Sequence, residues 1–347
     1  MPYLMNCWYV AAWASEVSTG ELFPRTLLDQ KVVIYRDNEG VAHALLDRCP
    51  HRFVPLSSGS LCDGGRSIQC NYHGLQFNQS GQCVHNPHGD GKIPAAARVK
   101  TFPLVEKHNC LWIWMGDQDK ADPALITDFS CMDREHFYVG EGYLYAKANY
   151  VLESDNILDL SHIEFLHPGT LGSDAVKDSV TEVKQDGDTV WSMRQTNNEI
   201  LPDFLYQAWG IEHGKRVDRW IDVRWDAPAN MLLISGATPT GQPRENGIET
   251  LIPHIFTPET AHSTHYWFGM SFPKAIGPHA QQLADEQVAN LSVPFETEDL
   301  PMLEAQQDNM GDSDFWENKP VLLIGDAGAI RARRTLDKLI KAENAAT

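Results

Sequence analysis

Cys49, His51, Cys70 and His73 are the residues of this chain best suited to chemistry. They stand as Cys49-Pro50-His51-Arg52 and Cys70-Asn71-Tyr72-His73-Gly74, a C-x-H and a C-x-x-H separated by eighteen residues. Two thiolates and two imidazoles in two short loops can hold one metal centre. Each loop contributes one of each, an order that suits a [2Fe–2S] cluster with both cysteines on one iron and both histidines on the other. A zinc site more often pairs its cysteines and then its histidines, so zinc is the weaker reading. Replacing two thiolates by neutral imidazoles raises the reduction potential, and the expected role is a one-electron relay, not only a staple. Pro50 and Gly74 suit tight loops whose backbone N–H groups can donate to sulfur.

A second dense stretch runs from Asn156 to Pro168. Asn156, Asp159 and His162 recur at i, i+3 and i+6 and would share one helix face. His167 falls about 140° further round than His162, so a chelating pair needs the helix to unwind after His162. Pro168-Gly169 supplies a reason for it to stop. Two histidines and one carboxylate on one side of an iron form the facial triad of non-haem Fe(II) oxygenases, with positions left for water, O2 and substrate. Two surface histidines on a helix would be the ordinary reading in an arbitrary chain. An upstream electron relay needs something to reduce and reverses that preference. The third ligand is expected among Glu296, Glu298, Asp299, Glu304, Asp308, Asp312 and Asp314, between which pattern alone does not choose.

These residues need a scaffold, and 347 residues allow two domains with separate cores. The front third reads as turn-rich β structure. Lys31–Arg36 and Val41–Leu46 form a hairpin, segments near Leu75–Phe77 and Gln82–Val84 flank another turn, and Cys110–Met115 is an aromatic strand. Helical pattern covers Tyr150 to His167. Strands then follow at Thr189–Arg194, Trp220–Trp225, Met231–Ser235, Thr250–Phe256 and Thr264–Met270. Helix resumes from Pro278 through Gln307 and from Arg331 to Ala342. The expected class is α+β: an all-β domain over residues 1–125, then a helix-covered antiparallel-sheet domain over 126–347.

Composition narrows the partners. A formal net charge of −19 argues against nucleic acid and anionic membranes. No apolar run is long enough to span a bilayer, and the N-terminus does not read as a secretory signal. The seven cysteines are odd in number and scattered, which suggests reduced thiols in a cytoplasm rather than a disulfide framework.

Taken together, the CPHR and CxYHG loops and the N-x-x-D-x-x-H-x4-H stretch resemble the oxygenase component of Rieske non-haem iron oxygenases over essentially the whole chain. The opening Asn6-Cys7-Trp8-Tyr9-Val10-Ala11-Ala12 and Thr257-Pro258-Glu259-Thr260 resemble the group of vanillate and dicamba O-demethylases and toluenesulfonate methyl-monooxygenases. The resemblance implies a Rieske [2Fe–2S] cluster on Cys49, His51, Cys70 and His73, and a mononuclear Fe(II) on His162, His167 and Asp299, the aspartate of the Glu298-Asp299 pair. It implies a ring-shaped homotrimer in which Asp159, with Asn156 beside it, bridges the iron of one subunit to the cluster of the next, touched by His162 and by a neighbour's His73. It also implies a separate reductase carrying flavin and fed by NADH, and insertion of one oxygen atom into a methyl or methoxy carbon of a small aromatic acid. His254 falls where the dicamba enzyme holds its substrate carboxylate; Leu233 and Asn290 replace other polar positions of that clamp. Leu75 stands where many relatives have tryptophan, and the gap between the cluster loops is slightly longer. The competing reading is a Rieske electron carrier with an appended domain and no oxygenase activity of its own.

Overall fold

The computed structural model describes residues 3–168, 170–173 and 175–345; Gly169 of the expected helix stop lies outside them. They form two compact units, one of Met5–Ile126 and one that runs from Thr127 onward and includes Leu4.

The strands of the first unit are β1 (Trp8–Trp13), β2 (Leu22–Leu27), β3 (Gln30–Arg36), β4 (Ala42–Leu46), β5 (Ser60–Cys62), β6 (Ser67–Gln69), β7 (Gln76–Asn78), β8 (Cys83–His85), β9 (Thr101–Phe102), β10 (Leu104–Lys107) and β11 (Cys110–Trp114). They build three small sheets, β1-β11-β10, β2-β3-β4-β9 and β5-β6-β7-β8. In β3, Val32 to Tyr35 are all buried, because this strand is covered on both faces and needs no polar alternation. Leu28 and Asp29, at φ 50° and 59°, make the tight turn that pairs β2 with β3. The hairpin expected from Lys31–Arg36 and Val41–Leu46 is present as β3 and β4, with Val32 opposite Leu46. The core of β5 to β8 and the loops beside them holds Val33, Tyr35, Leu45, Leu56, Ile68 and Phe77, and both Cys49 and Cys70 sit inside it.

The second unit is one antiparallel sheet with helices on it. Its elements are β12 (Phe137–Ala146), α1 (Tyr150–Leu158), α2 (Ile163–Leu166), β13 (Val180–Asp186), β14 (Thr189–Ile200), α3 (Asp203–Trp209), β15 (Arg216–Asp226), β16 (Asn230–Pro239), β17 (Ile248–Thr260), β18 (Ser263–Pro273), α4 (His279–Pro294), α5 (Leu300–Met310) and α6 (Ala327–Ala345). Strand order is β12-β18-β17-β16-β15-β14-β13. Neither β12 nor β13 was among the expected strands. Gly140 and Gly142 punctuate β12, yet Gly140 is where a Cβ would come within 2.4 Å of the Ala284 carbonyl oxygen of α4; its absence lets the helix backbone lie against the sheet. β13 is an edge strand, almost wholly exposed, and lacks an apolar face to announce it.

The expected helix from Tyr150 to His167 is corrected. It breaks at Asp159, whose φ −112° and ψ 88° are not helical, before His162 and not after it. The Asp159 carboxylate accepts the Ser161 N–H at 3.0 Å and so caps a new tight turn through His162. Asn156, Asp159 and His162 therefore do not share a helix face. Downstream, the helix expected from Pro278 to Gln307 is interrupted by a π-turn over Phe295–Asp299. Pro294 and Pro301 bracket it, each removing a backbone donor. Such a widened turn redirects side chains and is common at functional positions.

Candidate functional site

The two cysteine–histidine loops of the first unit are closed in the same way. The Cys49 N–H donates to the Val54 carbonyl at 2.9 Å and the Phe53 N–H donates back to the Cys49 carbonyl at 2.9 Å. The Cys70 N–H donates to Leu75 and the Gly74 N–H donates to Cys70, both at 2.8 Å. The fifth residue of each loop takes positive φ, 63° at Phe53 and 76° at Gly74. At Gly74 a Cβ would also meet Pro87 Cγ at 2.9 Å, so glycine is required there twice over.

The four side chains sort by type. Both cysteines are 1% exposed. The His51 and His73 rings face each other with centroids 4.4 Å apart and lie toward the surface. Burial and the neighbouring Cys70 push the Cys49 thiol up to about 11, so a thiolate there calls for a bound cation. Burial, with His51, His88 and Arg52 nearby, pulls His73 below its ordinary value, in favour of the neutral, metal-binding form. Among the described residues these four do not converge on a single point as a mononuclear zinc site would, whereas a thiol pair opposite an imidazole pair fits two irons. Leu75 packs against the same core and does not disturb the loop.

In the second unit His162, His167 and Asp299 each offer a ligand atom within 4.8 Å of the others. His167 Nε2 lies 3.2 Å and His162 Nε2 3.6 Å from the Asp299 carboxylate. The opposite nitrogens are held from behind. His162 Nδ1 is 2.7 Å from the Asp159 carbonyl oxygen, and His167 Nδ1 is 2.5 Å from the Glu298 carboxylate. Asn156 Nδ2 donates to Asp299 Oδ1 at 3.0 Å. Outer partners of this kind fix ring orientation and direct both Nε2 atoms to one point, the donor set of a facial triad. Burial pulls His162 below its ordinary value against the pull of Asp299. Burial also opposes charge on His167, but the hydrogen bonds and charges of Asp299 and Glu298 outweigh it and raise that imidazole.

The break at Asp159 and the π-turn at Asp299 are what bring residues 143 positions apart into contact. Of the carboxylate candidates, Asp299 faces the histidines and Glu298 supports one of them. Within the chain His162 meets Asp159 through that residue's main-chain carbonyl, while one oxygen of the Asp159 carboxylate accepts the Ser161 N–H. Glu153, on α1, is 3% exposed with Oε1 unpartnered, and burial pushes it up to about 8, with Asp299 and Glu304 adding to the effect.

A cavity opens beside the triad, lined mainly by Ile157, Leu160, Phe204, Leu233, Ile252 and Phe295. Its polar lining includes His254, Arg219, Ser235 and Thr250. His254 is 1% exposed; its Nδ1 lies 2.6 Å from the Tyr266 hydroxyl, its Nε2 has no partner, and burial pulls the imidazole down to about 3. Leu233 is in the lining, whereas Asn290 is exposed on α4. Arg219 pairs with the fully buried Glu199 at 3.4 Å. Sequence reasoning missed Arg219, Glu199, Glu153, Tyr266 and helix α3; only α3 carried a local signal, Pro202-Asp203 at its start and Gly210 at φ 63° past its end.

The chain matches two family models, the Rieske [2Fe-2S] domain over residues 7–103 and the vanillate O-demethylase oxygenase C-terminal domain over residues 146–342. It is 37% identical to the oxygenase component of chloroacetanilide N-alkylformylase from Rhizorhabdus wittichii, over 98% of this chain and 97% of that one. It is 39% identical to the oxygenase component of dicamba O-demethylase from Stenotrophomonas maltophilia, over 99% and 100%. The crystal structure of dicamba monooxygenase bound to dicamba superposes with a TM-score of 0.87 at 36% identity, over 99% of this chain and 100% of that one.

Proposed function

This chain belongs to the Rieske oxygenases that carry a vanillate O-demethylase-type C-terminal domain, and from that premise we propose that it hydroxylates a methyl or short alkyl carbon on a small aromatic acid. The observation that carries this reading is the convergence of His162, His167 and Asp299 at the edge of an apolar cavity that also holds His254. Relatives named for N-alkyl, O-methyl and toluenesulfonate substrates support an attacked carbon attached to nitrogen, oxygen or the ring.

When bound, the cluster on Cys49, His51, Cys70 and His73 supplies electrons singly and iron on the triad supplies reductive O2 activation. The balance is one substrate, one O2, two electrons and two protons giving the hydroxylated carbon and water; from a methoxy group the hemiacetal collapses to phenol and formaldehyde. The chain's own part is positional. Glu298 and the Asp159 carbonyl orient the imidazoles, Asn156 orients Asp299, and the apolar lining keeps bulk water from the reacting carbon. His254 meets the acid group of the substrate. The electrons come from a separate reductase that takes them from NADH through flavin. The working unit is a homotrimer in which Asp159 links neighbouring subunits, and the thiols of Cys62, Cys83 and Cys131, outside the cluster and in no disulfide, suit a reducing cytoplasm. Among the described residues no helix is long and apolar enough to cross a membrane.

A panel of methoxy- and methyl-benzoates and sulfonates, scored for O2 uptake coupled to product and formaldehyde, tests the activity. Iron analysis runs beside it: three irons per chain support the oxygenase, two an electron carrier. Asp159→Asn keeps both metals and loses most turnover; near-normal turnover removes the bridging role.

A further inference from the structure

His254 lies on β17 and Tyr266 on β18, with rings nearly parallel and centroids 5.9 Å apart. Both are buried, at 1% and 3% exposure. The Tyr266 hydroxyl and His254 Nδ1 are 2.6 Å apart, and among the described residues this is the hydroxyl's one hydrogen bond. Among the described residues Nε2 on the far side of the ring has none, and it is shut from bulk water, so a partner for it must come from a molecule bound in the cavity that His254 lines.

A neutral imidazole carries one N–H and one lone pair, so two arrangements compete. If Nδ1–H donated to the phenol, the phenolic hydrogen would have no acceptor and Nε2 would be a buried lone pair without a donor. Two polar groups would then be orphaned. If the phenol donates to Nδ1, its hydrogen is used and only the Nε2–H is left without a partner. The second arrangement strands one group instead of two, and that group sits on a side chain lining the cavity beside the triad.

We propose that Tyr266 is a positioning residue: its O–H donates to Nδ1 and holds His254 as the Nε2–H tautomer, so the site selects aromatic substrates that present a hydrogen-bond acceptor. The group recognised is a carboxylate, sulfonate or carbonyl oxygen, and an amine or hydroxyl acting as donor is rejected. This rests on the proposed function for the identity of the cavity as the substrate site, but the tautomer itself does not.

Neutron diffraction from deuterated holoenzyme reads the tautomer directly. Deuterium on His254 Nε2 and on the Tyr266 oxygen directed at Nδ1 supports the proposal; deuterium on Nδ1 overturns it, whatever the protein turns over. Equilibrium binding of 4-methylbenzoate and of 4-methylaniline to wild type and Tyr266→Phe gives the functional arm. The expected result is a benzoate preference in wild type that falls roughly tenfold in the variant, and in a parallel O2-uptake assay with 4-methylbenzoate KM rises far more than kcat changes. An unaltered preference in a folded variant overturns the positioning role. If neither probe binds but the Nε2–H tautomer is seen, the aromatic-acid reading fails and the locking by Tyr266 stands.

Discussion

Glu298 holds His167 from behind: its carboxylate is 2.5 Å from Nδ1, while Nε2 of the same ring lies 3.2 Å from Asp299. Adjacent carboxylates thus grip opposite edges of one imidazole, one as a ligand's neighbour and one as its support. This is possible because the π-turn over Phe295–Asp299 lets consecutive residues reach the same ring.

Glu298→Gln is expected to weaken retention of the mononuclear iron by about 10–100-fold, the usual cost of losing a partner behind a ligating histidine. Iron content after dialysis against graded chelator measures it, with the cluster's visible absorption as the internal control. Equal retention in variant and wild type would show that Glu298 does not orient His167.

Glu153 should give the iron-free protein a distinctive pH dependence. Burial raises its folded-state value from 4.5 to about 8, so the folded chain holds a proton that the unfolded chain has released. Stability therefore declines as pH rises from 4.5 towards 8, and the cost is complete above the folded value. Glu153→Gln, neutral throughout, is expected to match wild type near pH 5 and to exceed it at pH 8 by on the order of 1–3 kcal/mol. Thermal unfolding across that range decides; parallel curves would remove Glu153 as the cause.

Arg333 of α6 grips Asp155 of α1, with Nε at 3.0 and 2.8 Å and Nη2 at 2.5 Å from its carboxylate oxygens. Arg333 is 4% exposed, and Asp155 immediately precedes Asn156. Arg333→Met should cost about 3 kcal/mol by stranding a largely buried carboxylate. Arg333→Met combined with Asp155→Leu should recover much of that loss, and denaturant titrations of both compare them. A single variant as stable as wild type would make the pair a bystander.

The matched cluster loops predict opposite outcomes at equivalent positions. Gly74→Ala places a Cβ against Pro87 at φ 76°, and about 1–3 kcal/mol of strain with loss of cluster occupancy is expected. Phe53→Gly, at φ 63° and largely exposed, should be tolerated because it relieves an unfavourable backbone. Cluster absorbance per chain distinguishes them, and similar losses in both would show that the strain argument is wrong.

Cys49, His51, Cys70 and His73 were legible from the sequence because a cluster's ligands sit in short loops where type and spacing are local properties. The strands β3, β4, β11 and β14 to β18 were legible for a similar reason, since hydrophobic pattern reports nearby burial. His162 and His167 could be named, but not the geometry that joins them: the helix breaks at Asp159, where a carboxylate oxygen accepts the Ser161 N–H and the carbonyl meets His162 Nδ1. Asp299 needed a resemblance to be singled out from a run of acids, because a π-turn has no spacing signature of its own. Glu298, Tyr266, Arg219 and Glu153 acquire their roles from what folding sets around them: Glu298 from contact with the distant His167, the other three from burial. Tertiary structure alone decides such roles, since the cost of leaving a polar atom unpaired exists only once folding has taken its water away.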